Sequence, residues 1–101
     1  MDKVCILGVP IDLTSYQEST ELIRSWVKEY RNRYVCVANV HMLMEAYDSK
    51  EYSDVVKHAD LVTPDGMPLV WMLRIKGFKR QERVYGPTLM LHILEAASLD
   101  Q

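Results

Sequence analysis

Asp65 is the residue of this chain whose type and setting most readily support chemistry. It lies in Pro64-Asp65-Gly66, where the apolar run Leu61 to Thr63 stops and a helical pattern starts at once. In open α/β sheets such a strand-to-helix corner sits at the carboxyl edge of the strands, where the N–H groups of the next helix point outward and ligands bind. A carboxylate there can take a proton from a hydroxyl or accept a hydroxyl hydrogen bond. It can equally cap the helix that follows, a role worth about 1 kcal/mol. Asn39 closes another apolar run 26 positions earlier. Its amide offers a donor and an acceptor suited to sugar hydroxyls or a base edge, and it too could be an ordinary helix cap. Arg83 closes a charged loop, Lys79 to Arg83. It could meet a phosphate if that loop folds back over the sheet edge, and otherwise it is one more solvated charge.

Other chemistry-bearing residues read more plainly. His41, His58 and His92 share no ligand spacing, and Cys5 and Cys36 form no CxxC pair, so no metal site is expected. Each cysteine sits inside an apolar run, which suggests two buried, reduced thiols. The Trp71, Met72 and Leu73 cluster reads as core or as an interface.

The elements that would position Asn39 and Asp65 follow from periodicity. Val4 to Gly8 is a short strand, and Ile11 to Leu13 is a second short strand or an edge segment. Ser15 followed by Glu18 makes a capping-box pattern, after which Leu22, Ile23, Trp26, Val27 and Tyr30 repeat at helical spacing. Tyr34 to Ala38 is continuously apolar, as in a strand covered on both faces. Met42, Leu43, Ala46 and Tyr47 begin a helix, Ser49 to Lys57 forms another, and Leu61 to Thr63 is the next strand. Met67, Leu69, Val70, Leu73 and Ile75 make a helix that Gly77 ends. Pro87 suits the first turn of a last helix burying Leu89, Met90, Ile93, Leu94 and Ala97. This alternation predicts an α/β fold, a parallel sheet with helical crossovers of Rossmann-like type, and one domain over residues 1–101. In such a sheet Asn39 and Asp65 share the carboxyl edge.

Composition sets outer limits. The 101 residues are 49% hydrophobic and 26% charged, the balance of a globular domain. A formal net charge of −2 argues against a nucleic-acid binder, which needs surplus Lys and Arg. The amino-terminal run is broken by Gly8 and Pro10, so it suits a strand better than a signal peptide, and no stretch approaches the ~20 apolar residues of a membrane span. A cytoplasmic setting is expected.

Three blocks, VANVHMLMEAY, ADLVTPDGMPLVWMLR and QERVYGPTLM, in this order and at these distances, resemble the WecG/TagA/CpsF family of bacterial glycosyltransferases, which build cell-wall and capsular polymers. The resemblance runs from about Val4 to about Ala97 and rests on Asn39, on Pro64-Asp65-Gly66, and on Glu82-Arg83-Val84 with Gly86. It implies transfer of an N-acetylhexosamine, typically N-acetylmannosamine, or another sugar from a UDP donor to an acceptor sugar on a polyprenyl diphosphate, with inversion. Asp65 matches the family's base. Asn39, Gly66, Arg83 and Gly86 match substrate-binding positions, Arg83 toward the diphosphate. No cofactor is implied, and there is no Asp-x-Asp metal motif in this stretch. The family's usual domain is about twice this length, so the chain corresponds to its amino-terminal half, an incomplete sheet with possible self-association and, in the full-length protein, peripheral contact with the inner face of the membrane. Two positions depart from the pattern: Val37 stands where many members carry Thr, and Thr88 where Asp is common. The alternative reading is a catalytically inactive nucleotide-binding or interaction module.

Overall fold

The computed structural model describes residues 2–100. Its elements run β1 (Lys3–Ile6), β2 (Val9–Asp12), α1 (Tyr16–Lys28), β3 (Val35–Ala38), α2 (Val40–Asp48), α3 (Lys50–Lys57), β4 (Leu61–Pro64), α4 (Met67–Ile75) and α5 (Gly86–Leu99). β3 and β4 pair in parallel, from Val35 opposite Leu61 to Ala38 opposite Pro64, with helices flanking them. This is the expected α/β arrangement, a partial Rossmann-like sheet.

The amino-terminal strands depart from an all-parallel sheet. β1 and β2 form an antiparallel hairpin, with Val4 opposite Ile11. Leu7 and Gly8 both take positive φ, 50° and 80°, at its two-residue turn. That backbone matches the right-handed twist of hairpin strands, and periodicity alone does not reveal it. The hairpin is joined to β4 by one side chain. Asp12, 2% exposed, pairs with Lys3 at 2.9 Å and accepts a 2.8 Å hydrogen bond from the Val62 N–H. It thereby satisfies a strand-edge donor that would otherwise be buried without a partner.

The core lies among the hairpin, β3, β4 and the helices α2 to α4, and includes Ile6, Val9, Ile11, Ala38, Leu43, Val56, Val62, Leu69 and Leu73. α1 starts where expected, with Ser15 Oγ accepting from the Glu18 N–H at 3.1 Å. It stops sooner: Glu29 caps it and Tyr30 turns to φ 55°, leaving Val27 and Tyr30 exposed instead of buried. Similarly, Ile75, Met90 and Leu94 are exposed, and the buried alanine of α5 is Ala96, while Ala97 faces outward. In α4 and α5 the buried stripe is narrower than the apolar one, being Leu69, Val70 and Leu73 in the first and Leu89 and Ala96 in the second. Trp71 and Met72 are exposed beside the buried Leu73. Cys5 is exposed, contrary to the buried thiol expected, because its strand belongs to a two-stranded hairpin and not to the sheet interior. Cys36 is half-buried, and desolvation pushes its thiol up from the ordinary range, so it stays protonated at neutral pH. No helix among the described residues is long and apolar enough to cross a membrane.

Candidate active site

Three chain segments meet at the carboxyl end of β4. Asp65 extends the parallel ladder beyond the strand, its N–H donating to the Ala38 carbonyl at 2.9 Å, and the Gly66 N–H reaches the same oxygen at 3.2 Å. On the opposite edge of β4 the Val84 N–H donates to the Pro64 carbonyl at 2.9 Å. Asp65 is therefore flanked by the end of β3 on one side and by the segment carrying Arg83 on the other.

Gly66 permits this convergence through space, not through backbone angle. A Cβ on Gly66 would lie 3.3 Å from both Cα and Cβ of Asn39, too close for rigid backbone to absorb without a shift. Gly86 makes a similar approach, with Val37 Cγ1 3.3 Å from where its Cβ would stand. The start of α5 is thus seated on β3, next to the departure at Val37.

The two polar residues of the edge divide the roles open to them. Asn39 is the cap of α2, its Oδ1 accepting from the Met42 N–H at 2.9 Å. Its side-chain NH₂ remains uncommitted as a donor. Asp65 is not a cap: Gly66 holds that position on α4, and no side chain caps the helix. The Asp65 side chain is 18% exposed, and its Oδ1 is buried without a hydrogen-bond partner. The nearest cation is Arg83, whose Nε lies 3.7 Å from that oxygen and donates instead to the Asp65 backbone carbonyl. A carboxylate oxygen without a partner keeps its full acceptor capacity, and a hydroxyl reaches this buried one once the groups covering it shift.

The charged loop does fold back over the edge, and a residue that sequence reading missed holds it there. The Arg83 guanidinium carbon sits 4.3 Å from the centroid of the Tyr85 ring. The Tyr85 N–H in turn donates to Tyr16 Oη at 3.0 Å, tying the segment to the first turn of α1. The i, i+2 spacing of Arg83 and Tyr85 on an extended segment was the available signal, since such residues share a face. Cation–π contacts at exposed sites contribute about 0.5–1 kcal/mol. Replacing Tyr85 by Leu is therefore expected to speed hydrogen exchange at Arg83 Nε by about threefold, whereas Tyr85→Phe leaves it unchanged. Nitrogen-15 spectra of the arginine side chains would decide this, and equal exchange in all three proteins would remove Tyr85 from the role.

Asn39, Asp65, Gly66, Arg83 and Gly86, spread over 48 positions of sequence, thus come to one edge. Among the described residues no group of three His, Cys, Asp or Glu side chains could hold a metal ion.

The chain is 27% identical over 89 residues to an N-acetylglucosaminyldiphosphoundecaprenol N-acetyl-β-D-mannosaminyltransferase of Bacillus spizizenii, an alignment covering 88% of this chain. The chain spans about a third of that relative, 34% of its length. Residues 4–101 match the glycosyl transferase WecG/TagA/CpsF family, and the chain belongs to that family.

Proposed function

We propose that this chain carries the acid–base edge of an inverting transferase that moves an N-acetylhexosamine, N-acetylmannosamine in the first instance, from UDP to a sugar on a polyprenyl diphosphate. The product would serve a surface polymer such as a teichoic acid or a capsule. The observation that carries the reading is the Asp65 carboxylate, with one oxygen buried, unpartnered and 3.7 Å from Arg83 Nε. The relative's name supplies the transferred sugar and the acceptor class.

In this mechanism Asp65 removes the proton of the acceptor hydroxyl as its oxygen bonds to the anomeric carbon, and UDP departs from the opposite face with the bonding electron pair. Negative charge builds on the departing diphosphate. With its Nε engaged at the Asp65 carbonyl, Arg83 has its terminal amino groups left to meet that charge, and a guanidinium binds phosphate oxygens through paired donors. The Asn39 NH₂ would orient the donor sugar, and Gly66 and Gly86 would serve the site by letting β3, β4 and α5 pack closely enough for one ligand to span them. The acceptor's lipid would bring the protein to the membrane's inner face as a peripheral contact.

Arg83→Ala is the first test of this division of labour. Assayed by transfer of labelled sugar to lipid-linked acceptor, it is expected to lower kcat on the order of 100-fold and to weaken UDP binding as well. Arg83→Lys would restore part of both. Wild-type UDP affinity in the alanine variant would exclude Arg83 from the diphosphate.

A further inference from the structure

We infer that the cleft between the amino end of α1 and the turn after α4 is a saccharide subsite for the acceptor sugar, built on the segment that carries Arg83. This inference rests on the transferase reading above and adds to it a place for the second substrate. The cleft has a volume of about 510 Å³ and is lined by Leu13 to Ser15, Glu18 and residues 77–82. That volume accommodates one or two pyranose rings.

The walls are built and held. Gly77, at φ 113°, turns the chain out of α4, and the Gln81 N–H closes a tight turn onto the Phe78 carbonyl at 3.1 Å. Gln81 is 7% exposed, an unusual depth for an amide in a charged loop. Both of its hydrogen bonds are donated by Nε2, to the Thr14 carbonyl at 2.7 Å and to the Glu82 carbonyl at 2.8 Å. The amide is thereby locked in orientation, and its carbonyl Oε1 remains as an acceptor in the cleft lining. Arg74 Nε holds the Gln81 backbone carbonyl at 2.9 Å from the other side.

The lining chemistry favours a neutral, hydroxyl-bearing ligand. Lys79 and Arg80 are balanced in formal charge by Glu18 and Glu82, so the cleft holds no surplus charge for a free phosphate. The Gln81 carbonyl and the Glu18 carboxylate accept hydrogen bonds from hydroxyls or an acetamido N–H. Leu13 and the Phe78 ring, 39% exposed, offer the apolar surface against which the C–H face of a pyranose packs. Location completes the argument. Glu82 adjoins Arg83, and the Thr14 carbonyl is bonded to Gln81, so the cleft lies on the same folded-back segment that delivers Arg83 to Asp65.

The test is titration of the nitrogen-15-labelled chain with methyl 2-acetamido-2-deoxy-β-glucopyranoside, and separately with pyrophosphate and with UDP. Saturable amide shifts confined to residues 13–18 and 77–82 with the sugar, weakened about fivefold in Phe78→Ala and little changed in Glu18→Gln, are the expected result. Absence of sugar-induced shifts up to about 50 mM, or pyrophosphate acting on those amides where the sugar does not, would overturn the subsite. UDP reports on the donor reading alone, through Asn39, Arg83 and Gly86. Sugar binding in the cleft together with full transfer by Asp65→Asn would sink the base and leave the subsite standing. The reverse pattern would sink the subsite and leave the base.

Discussion

Asp65→Asn is expected to lower turnover on the order of 1,000-fold while leaving UDP affinity within about twofold of wild type. The substitution preserves size and shape and leaves the main-chain bond from residue 65 to the Ala38 carbonyl in place. It removes the ability to take a proton, together with the carboxylate charge 3.7 Å from Arg83. An amide in that position can still accept a hydrogen bond from the incoming hydroxyl, so ground-state binding survives and the loss falls on kcat. Steady-state kinetics with saturating acceptor, paired with calorimetry of UDP binding, separates the two quantities. Wild-type turnover in the asparagine variant would remove the base assignment. Loss of UDP binding in step with kcat would show instead that Asp65 positions the donor.

The largest stability effect is expected away from the site, at Asp12. Alanine there strands the Val62 N–H in the interior and leaves Lys3 without its partner, at a cost of about 2–3 kcal/mol. Most of that cost comes from the unsatisfied donor, because Lys3 is 45% exposed and its ion pair is screened by solvent. Asp12→Asn keeps an acceptor for Val62 and should recover more than half. Urea unfolding midpoints, read with the exchange rate of the Val62 amide, test both statements. Unchanged Val62 protection in Asp12→Ala would show that the hairpin does not depend on this bond.

The contrast between Asp65 and Asp12 shows how far the sequence was legible. Asp65 could be found because a local pattern, an apolar run ending at Pro-Asp-Gly, places it at a corner whose use is general to α/β sheets. Its choice between cap and reactive carboxylate could not be read, since both roles occupy one position; the backbone settles that Gly66 is the cap. Asn39, by contrast, is a cap and keeps a free donor. Asp12 carried no signal, because its partner is an amide 50 residues away and the contact depends on how the hairpin docks. Non-local docking also explains the antiparallel β1–β2 pair and the inward turn of Gln81. The missed exposures at Ile75, Met90 and Leu94 have a different origin. A helical period marks the residues able to face a core and does not say how wide a core there is to face.

The missing side chain at Gly66 carries one more consequence. Because the ends of β3 and β4 touch there through backbone, the spacing between Asn39 and Asp65 is set by main-chain geometry and owes nothing to the groups that decorate it. Neighbouring side chains, Val37 among them, can be exchanged over evolutionary time without moving the carboxylate. On the proposed reading the edge would act as a jig, holding Asp65 in register whatever sugar the surrounding side chains are shaped to take.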